Sequence, residues 1–136
     1  MTTPSSLTRP AGVPFGRRVA ARLAVAAAFP LAKLTPRRLR QVLGVLRRGA
    51  RPAGYETASQ ARDAVLAVSL RCLGPQGCLP RSVAVVVLCR MSGSWPTWCA
   101  GVRVMPPFGA HAWVEADGVP VDENLPARYF RPLMTV

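Results

Sequence analysis

The chain has one histidine, His111, and its four cysteines (Cys72, Cys78, Cys89 and Cys99) include no CxxC pair. That scarcity argues against a structural zinc site, which needs four such ligands at short spacings. Acids are also scarce: there are six in 136 residues, and none before Glu56. Residues 1–55 hold eleven Lys/Arg and no acid, whereas residues 56–136 hold seven Lys/Arg against all six acids. Nearly all of the +12 net charge therefore sits in the first 55 residues. Such asymmetry suits either a polyanionic partner or a plain solvated arginine-rich face.

Long apolar runs are lacking as well. Leu23 to Ala32 is ten residues, contains Pro30, and lies between Arg22 and Lys33. It is too short to cross a bilayer, so no membrane insertion is expected. Arg17-Arg18 ahead of it resemble a twin-arginine export signal, but Arg22 breaks the apolar stretch. A cytoplasmic protein with reduced thiols is expected, because the chain is not a short cysteine-dense secreted module. No internal repeat and no RNP-like aromatic pattern is visible, so no nucleic-acid partner is expected, and no cofactor or metal.

Half the residues are hydrophobic, enough for one domain with a buried core. Residues 1–15, rich in Thr, Ser and Pro, are expected to be disordered, 16–54 to form a basic helical segment, and 55–136 to form the core. Gly16 to Phe29 has helical spacing and is expected to end at Pro30. Thr35 and Pro36 then supply an N-cap and a first helical residue. Leu39, Val42, Leu43 and Leu46 make one apolar stripe among Arg37, Arg38, Arg40, Arg47 and Arg48. Arg51 to Gly54 reads as a linker, and Thr57-Ala58-Ser59-Gln60 as a capping box. The helix it opens carries Ala61, Ala64, Val65, Val68 and Cys72 on one face.

The stretch Gly74-Pro75-Gln76-Gly77 predicts a turn, and Cys78 to about Met91 is apolar on every side. Its β-branched residues suit a strand, but Pro80 suits only the first turn of a helix, so a central buried helix is predicted. Trp98–Met105 and Ala110–Glu115 read as strands. Asp117-Gly118 is a two-residue hairpin turn, and Val119 to Asp122 returns. Helices followed by an antiparallel meander give an α+β fold.

A helix N-terminus carries about half a positive charge and unpaired N–H groups. Both favour a thiolate, which singles out Cys78 among the four cysteines as a nucleophile. The same N–H groups suit the oxyanion of a tetrahedral intermediate. Gln76 is a second candidate donor, though its simpler role is in the turn. Cys72, Cys89, Cys99, Trp98 and Trp113 read as core. A cysteine nucleophile needs a base and a group that orients the base, and His111 is the one base available. If the hairpin pairing continues, Glu115 faces Pro120, Trp113 faces Asp122 and His111 faces Asn124. Asp122 is then the diagonal neighbour of His111, and Glu123 points to the other face.

Gly77-Cys78-Leu79-Pro80-Arg81-Ser82, the run from Pro107 through His111 to Val121, and Tyr129-Phe130 resemble the transglutaminase-like leader peptidases of lasso-peptide biosynthesis. The resemblance covers about Arg37 to the last residue and is most specific over 72–123. It implies a transglutaminase-like or papain-like core, with a cysteine at the start of a central helix packed on a small antiparallel sheet. It also implies a cysteine protease that removes the leader from a ribosomally made precursor peptide, through Cys78, His111 and an acid. In that family the acid follows a small or polar residue after the Pro-Val pair, which points to Glu123. Hairpin parity points to Asp122. The two arguments disagree, and the reading leans to Asp122.

The resemblance further implies a small leader-recognition protein, presenting the leader by β-augmentation, and an ATP-dependent lasso cyclase. The basic N-terminal helices are then a candidate docking surface. Two other functions compete with this reading. A transglutaminase would resolve the thioester with an amine in place of water. A non-catalytic basic binding module would show steep salt dependence and indifference to Cys78.

Overall fold

Pro30 and Pro36 divide the acid-free N-terminal sequence into two helices. In the computed structural model, which describes residues 10, 12–69, 72, 77–106, 108–123 and 126–136, α1 spans Phe15–Ala32 and α2 spans Pro36–Arg47. Helix α1 runs two residues past Pro30, further than expected. A proline so close to the end forfeits a single main-chain bond, and Lys33 N–H to Pro30 O and Leu34 N–H to Leu31 O close the last turn. The Thr35 hydroxyl accepts from Arg38 N–H at 3.3 Å, as an N-cap should. Leu39 and Leu43 are buried, and Arg37, Arg38, Arg40, Arg47 and Arg48 are exposed. Arg90 caps the far end of α2, donating to Leu46 O at 2.7 Å and Arg48 O at 3.3 Å.

Helix α3, Tyr55–Val68, begins two residues before the expected capping box. Its N-terminal cap comes from a distant part of the chain: Tyr55 N–H donates to Asp117 Oδ2 at 3.0 Å. A carboxylate there satisfies an orphan donor and suits the helix dipole, so Thr57 and Gln60 are not needed. Cys72 lies beyond the end of α3 yet is fully buried, and its N–H bonds Ser69 Oγ at 3.2 Å. The expected turn at 74–77 falls mostly outside the described residues, as do residues 1–9 and 11 of the N-terminal stretch, Gln76 and Asn124.

Helix α4, Cys78–Met91, is the predicted central helix: Val83, Ala84, Val85, Val86, Leu88 and Cys89 are all buried. Helices α1 and α3 pack against it, and α1 buries Ala21, Ala24 and Ala28, small side chains that permit close approach. The short strands β1 (Arg51–Pro52) and β2 (Ser94–Trp95) form a parallel pair. A four-stranded antiparallel sheet in the order β5-β4-β3-β6 completes the fold, with β3 at Thr97–Arg103, β4 at Gly109–Ala116, β5 at Val119–Pro120 and β6 at Phe130–Thr135. Ala112, Val114 and Ala116 of β4 face the helices, while Trp113 packs on Cys99 and Phe130 on the opposite face. Trp98 is buried, donating from Nε1 to Ser82 Oγ at 3.0 Å, which joins β3 to α4.

Strand β6 has no counterpart in the sequence expectation, and it contains Pro132, a residue that cannot donate to a ladder. It is tolerated on this edge strand, where the β3–β6 register shifts between Ala100 and Gly101. At that bulge Gly101 lies so close to β6 that an added Cβ would sit 2.0 Å from Arg131 O. Main-chain atoms cannot yield cheaply. Gly101→Ala is therefore expected to destabilise the fold by about 1–3 kcal/mol, read as a lower urea midpoint; an unchanged midpoint contradicts the close approach.

Candidate active site

Cys78 is the first residue of α4. Gly77 precedes it at φ −90°, ψ 0°, and Arg81 N–H closes the first turn on Gly77 O at 2.8 Å. The Cys78 amide N–H thus belongs to the orphan donors of a helix start. The thiol lies against β4, hydrogen-bonded to the His111 side chain and to the backbone of Ala112. Burial pushes its pKa up, but those two bonds and the charges of His111 and Arg81 together outweigh burial, and the net direction is down.

His111 is set on β4 with its ring stacked 5.2 Å from Phe130 and 5.8 Å from Trp113. Its Nε2–H donates to Glu123 Oε1 at 2.5 Å, which leaves the other ring nitrogen for Cys78. Burial alone would lower the imidazole pKa. The bonds to Cys78 and Glu123 and their charges win, and it is raised. Both directions favour a thiolate–imidazolium pair. The side chains of His111 and Glu123 are 9% and 7% exposed, so this pair is largely screened from water.

The hairpin follows the predicted register only as far as Glu115↔Pro120 and Ala116↔Val119. Asp117 and Gly118 have φ of 53° and 79°, the geometry of a type I′ turn. After Val121 N–H bonds Val114 O at 2.9 Å, the strand ends and Asp122 adopts φ 51°. That left-handed residue rotates the chain, so parity no longer decides which acid meets the histidine. Glu123 reaches His111. Asp122 instead accepts from Tyr55 Oη at 3.0 Å and from Ser59 Oγ, tying the hairpin's end to α3. The register that placed Asp122 beside His111 is therefore not continued in the structure, and of the two acids it is Glu123 that contacts His111.

Two arginines absent from the sequence-based site flank Glu123. Arg62 Nη2 lies 4.0 Å from Glu123 Oε2. Arg81, 8% exposed, donates to Cys72 O at 3.1 Å and adds positive charge near both Glu123 and Cys78. Its helical spacing from Cys78 was the available signal, since residues three apart share a helix face. Burial raises Cys89 to about 11 and Cys99 to about 12, so neither ionises near neutrality. Among the described residues no three His, Cys, Asp or Glu side chains are grouped to hold a metal.

A cysteine whose thiol pKa is lowered, a histidine fixed by a carboxylate and an amide N–H at a helix start beside the sulfur are the components of acyl transfer. The family model of the Transglutaminase-like superfamily matches residues 21–135. The chain belongs to that superfamily. The superfamily includes cysteine peptidases and transglutaminases, and its members are typically cysteine-dependent enzymes. The helices and small antiparallel sheet fit the papain-like core expected from the sequence. No curated protein and no solved structure gives a significant match.

Because alkylation follows the thiolate, the pH midpoint for Cys78 alkylation is expected below the ordinary thiol value of 9.0. In His111→Ala the bond and charge that lower the thiol disappear while burial remains, so the midpoint rises. Glu123→Gln shifts it up by less. Asp122→Asn keeps the left-handed turn that aims Glu123, so it leaves the midpoint in place, and it lowers stability by about 1 kcal/mol through its weakened bonds to α3. An Asp122→Asn profile matching that of Glu123→Gln would contradict this division of roles.

Proposed function

We propose that this protein is a cysteine peptidase that removes the leader from a ribosomally synthesised lasso-peptide precursor. The observation that carries the proposal is the contact chain Cys78–His111–Glu123 at the start of a buried helix. It coincides with the narrow GCLPRS and PFGAHAWVE motifs that resemble the leader peptidases.

In the proposed reaction His111 takes the Cys78 proton, and the thiolate attacks the peptide carbonyl at the leader–core junction. The new C–S bond leaves an oxyanion, which the Cys78 amide N–H stabilises. The imidazolium gives its proton to the leaving amine as the C–N bond breaks, releasing the core peptide. Water, deprotonated by His111, then attacks the thioester; the thiolate departs and the leader leaves with a new carboxyl group. Glu123 holds the imidazole orientation and stabilises its charged form, and Arg62 and Arg81 keep positive charge beside that carboxylate. Trp113 and Phe130 restrict the ring by stacking.

The proposed partners are the precursor, a small leader-recognition protein that presents it, and an ATP-dependent lasso cyclase that closes the core. A cytoplasmic location accompanies this reading. What supports a protein partner is the exposed row of arginines on α2, which has no acid nearby in sequence. Charge reversal at Arg37, Arg38 and Arg40 is expected to weaken binding of the recognition protein at least tenfold without lowering the unfolding midpoint. Unchanged affinity removes α2 as the docking surface.

The reaction itself is tested by incubating the protein with the precursor and recognition protein encoded nearby and weighing the products. Cleavage into leader and core is expected, with a loss of at least a thousandfold in Cys78→Ala. A cross-linked product, formed by an amine resolving the thioester, would replace the peptidase by a transglutaminase. Cleavage that survives Cys78→Ala overturns the nucleophile.

A further inference from the structure

Beside the Cys78–His111 pair lies an open cleft of about 290 Å³. Leu34, Pro36 and Leu39 form one wall, Ala100 and Met134 of the sheet form another, and Leu79 adjoins the sulfur. Among the described residues, Cys78 and His111 are the ionisable side chains that line it. Arg37 and Arg40 of α2, with Arg48 just beyond it, line a separate groove. One short helix thus presents an apolar wall to the cleft and a basic face to its surroundings. Leu39 is held in the protein core, which fixes that wall in place.

We propose that this cleft is a side-chain pocket, selecting an uncharged apolar residue next to the scissile bond of the peptide substrate. The inference rests on the peptidase reading and adds a substrate preference to it. The cleft is continuous with the reacting pair, so whatever fills it is attached within a residue or two of the carbonyl under attack. Its volume suits one large side chain and lies at the lower end for ligand pockets. An apolar group gains by leaving water there, whereas a carboxylate or ammonium loses hydration and meets, among the described residues, only a thiol and an imidazole already paired with each other. Occupancy also displaces water from around the thiolate, which strengthens its pairing with His111.

The test needs no turnover. Alkylation of Cys78 is timed by intact mass and peptide mapping with iodoacetamides carrying N-isobutyl, N-benzyl, N-carboxymethyl or N-aminoethyl groups. Each rate is divided by that of N-acetylcysteine with the same reagent. The two apolar reagents are expected to exceed both charged ones by about ten- to a hundredfold. Leu34→Arg, at a half-buried position on the rim, is expected to shrink that ratio and to raise the rate of the carboxymethyl reagent above the wild-type value. Equal normalised rates for all four reagents, or a wild-type preference for either charged one, overturn the pocket while leaving leader cleavage to stand or fall by its own assay. Failure of every reagent at Cys78 overturns both readings.

Discussion

The contact of Cys78 with His111, and of His111 with Glu123, places an ionisable network where burial alone would neutralise it. Burial opposes charge on both the thiol and the imidazole, yet each shifts toward its charged form because each is the other's partner. Much of the architecture serves to hold these groups together. Helix α4 delivers the thiol with free N–H groups, and its all-round apolar surface fixes that helix in the core. Strand β4 places Ala112 inward against the core and stacks the neighbouring His111 on Phe130. Glu123 can reach the histidine only because Asp122 turns the chain, and Asp122 is held by α3 through Tyr55 and Ser59. Asp117 at the other end of the same hairpin segment caps α3. Helix α3 and the hairpin therefore position each other, and the histidine's carboxylate depends on both.

The acid-free N-terminal helices are part of this arrangement. Ala21, Ala24 and Ala28 of α1 and Leu39 and Leu43 of α2 belong to the same core as α4, although residues 1–55 carry eleven basic side chains. The two properties coexist because helical periodicity separates them, with small or branched apolar residues inward and arginines outward. Arg90 of α4 fastens the last carbonyls of α2, so the wall of the cleft is tied to the helix that bears the cysteine.

Most of the secondary structure was legible because local chemistry and tertiary context agree. Pro80 distinguishes a buried helix from a buried strand, Thr35-Pro36 marks a helix start, and Asp117-Gly118 sets the hairpin register. The site was legible in part: Cys78 stands out by helix position and His111 by being the lone histidine. Three features were not legible, for distinct reasons. Alternation along a strand predicts Asp122 only while the strand lasts, and it ends two residues earlier. The signal was nonetheless present, since aspartate is among the few residues that adopt a left-handed conformation readily. Strand β6 carries Pro132, a residue that local pattern treats as a breaker and that an edge strand with a bulge accommodates. The α3 cap came from 62 residues away, where no local pattern reports it.

The account turns on the claim that His111 is charged more readily than a free histidine despite being mostly buried. Since the chain has one histidine, its imidazole titration by proton–carbon NMR is unambiguous. The midpoint is predicted above 6.5 and falls when Glu123 is replaced by glutamine. A midpoint at or below 6.5 in the unaltered protein would show that burial prevails over the Cys78 and Glu123 contacts, and would contradict the site as described.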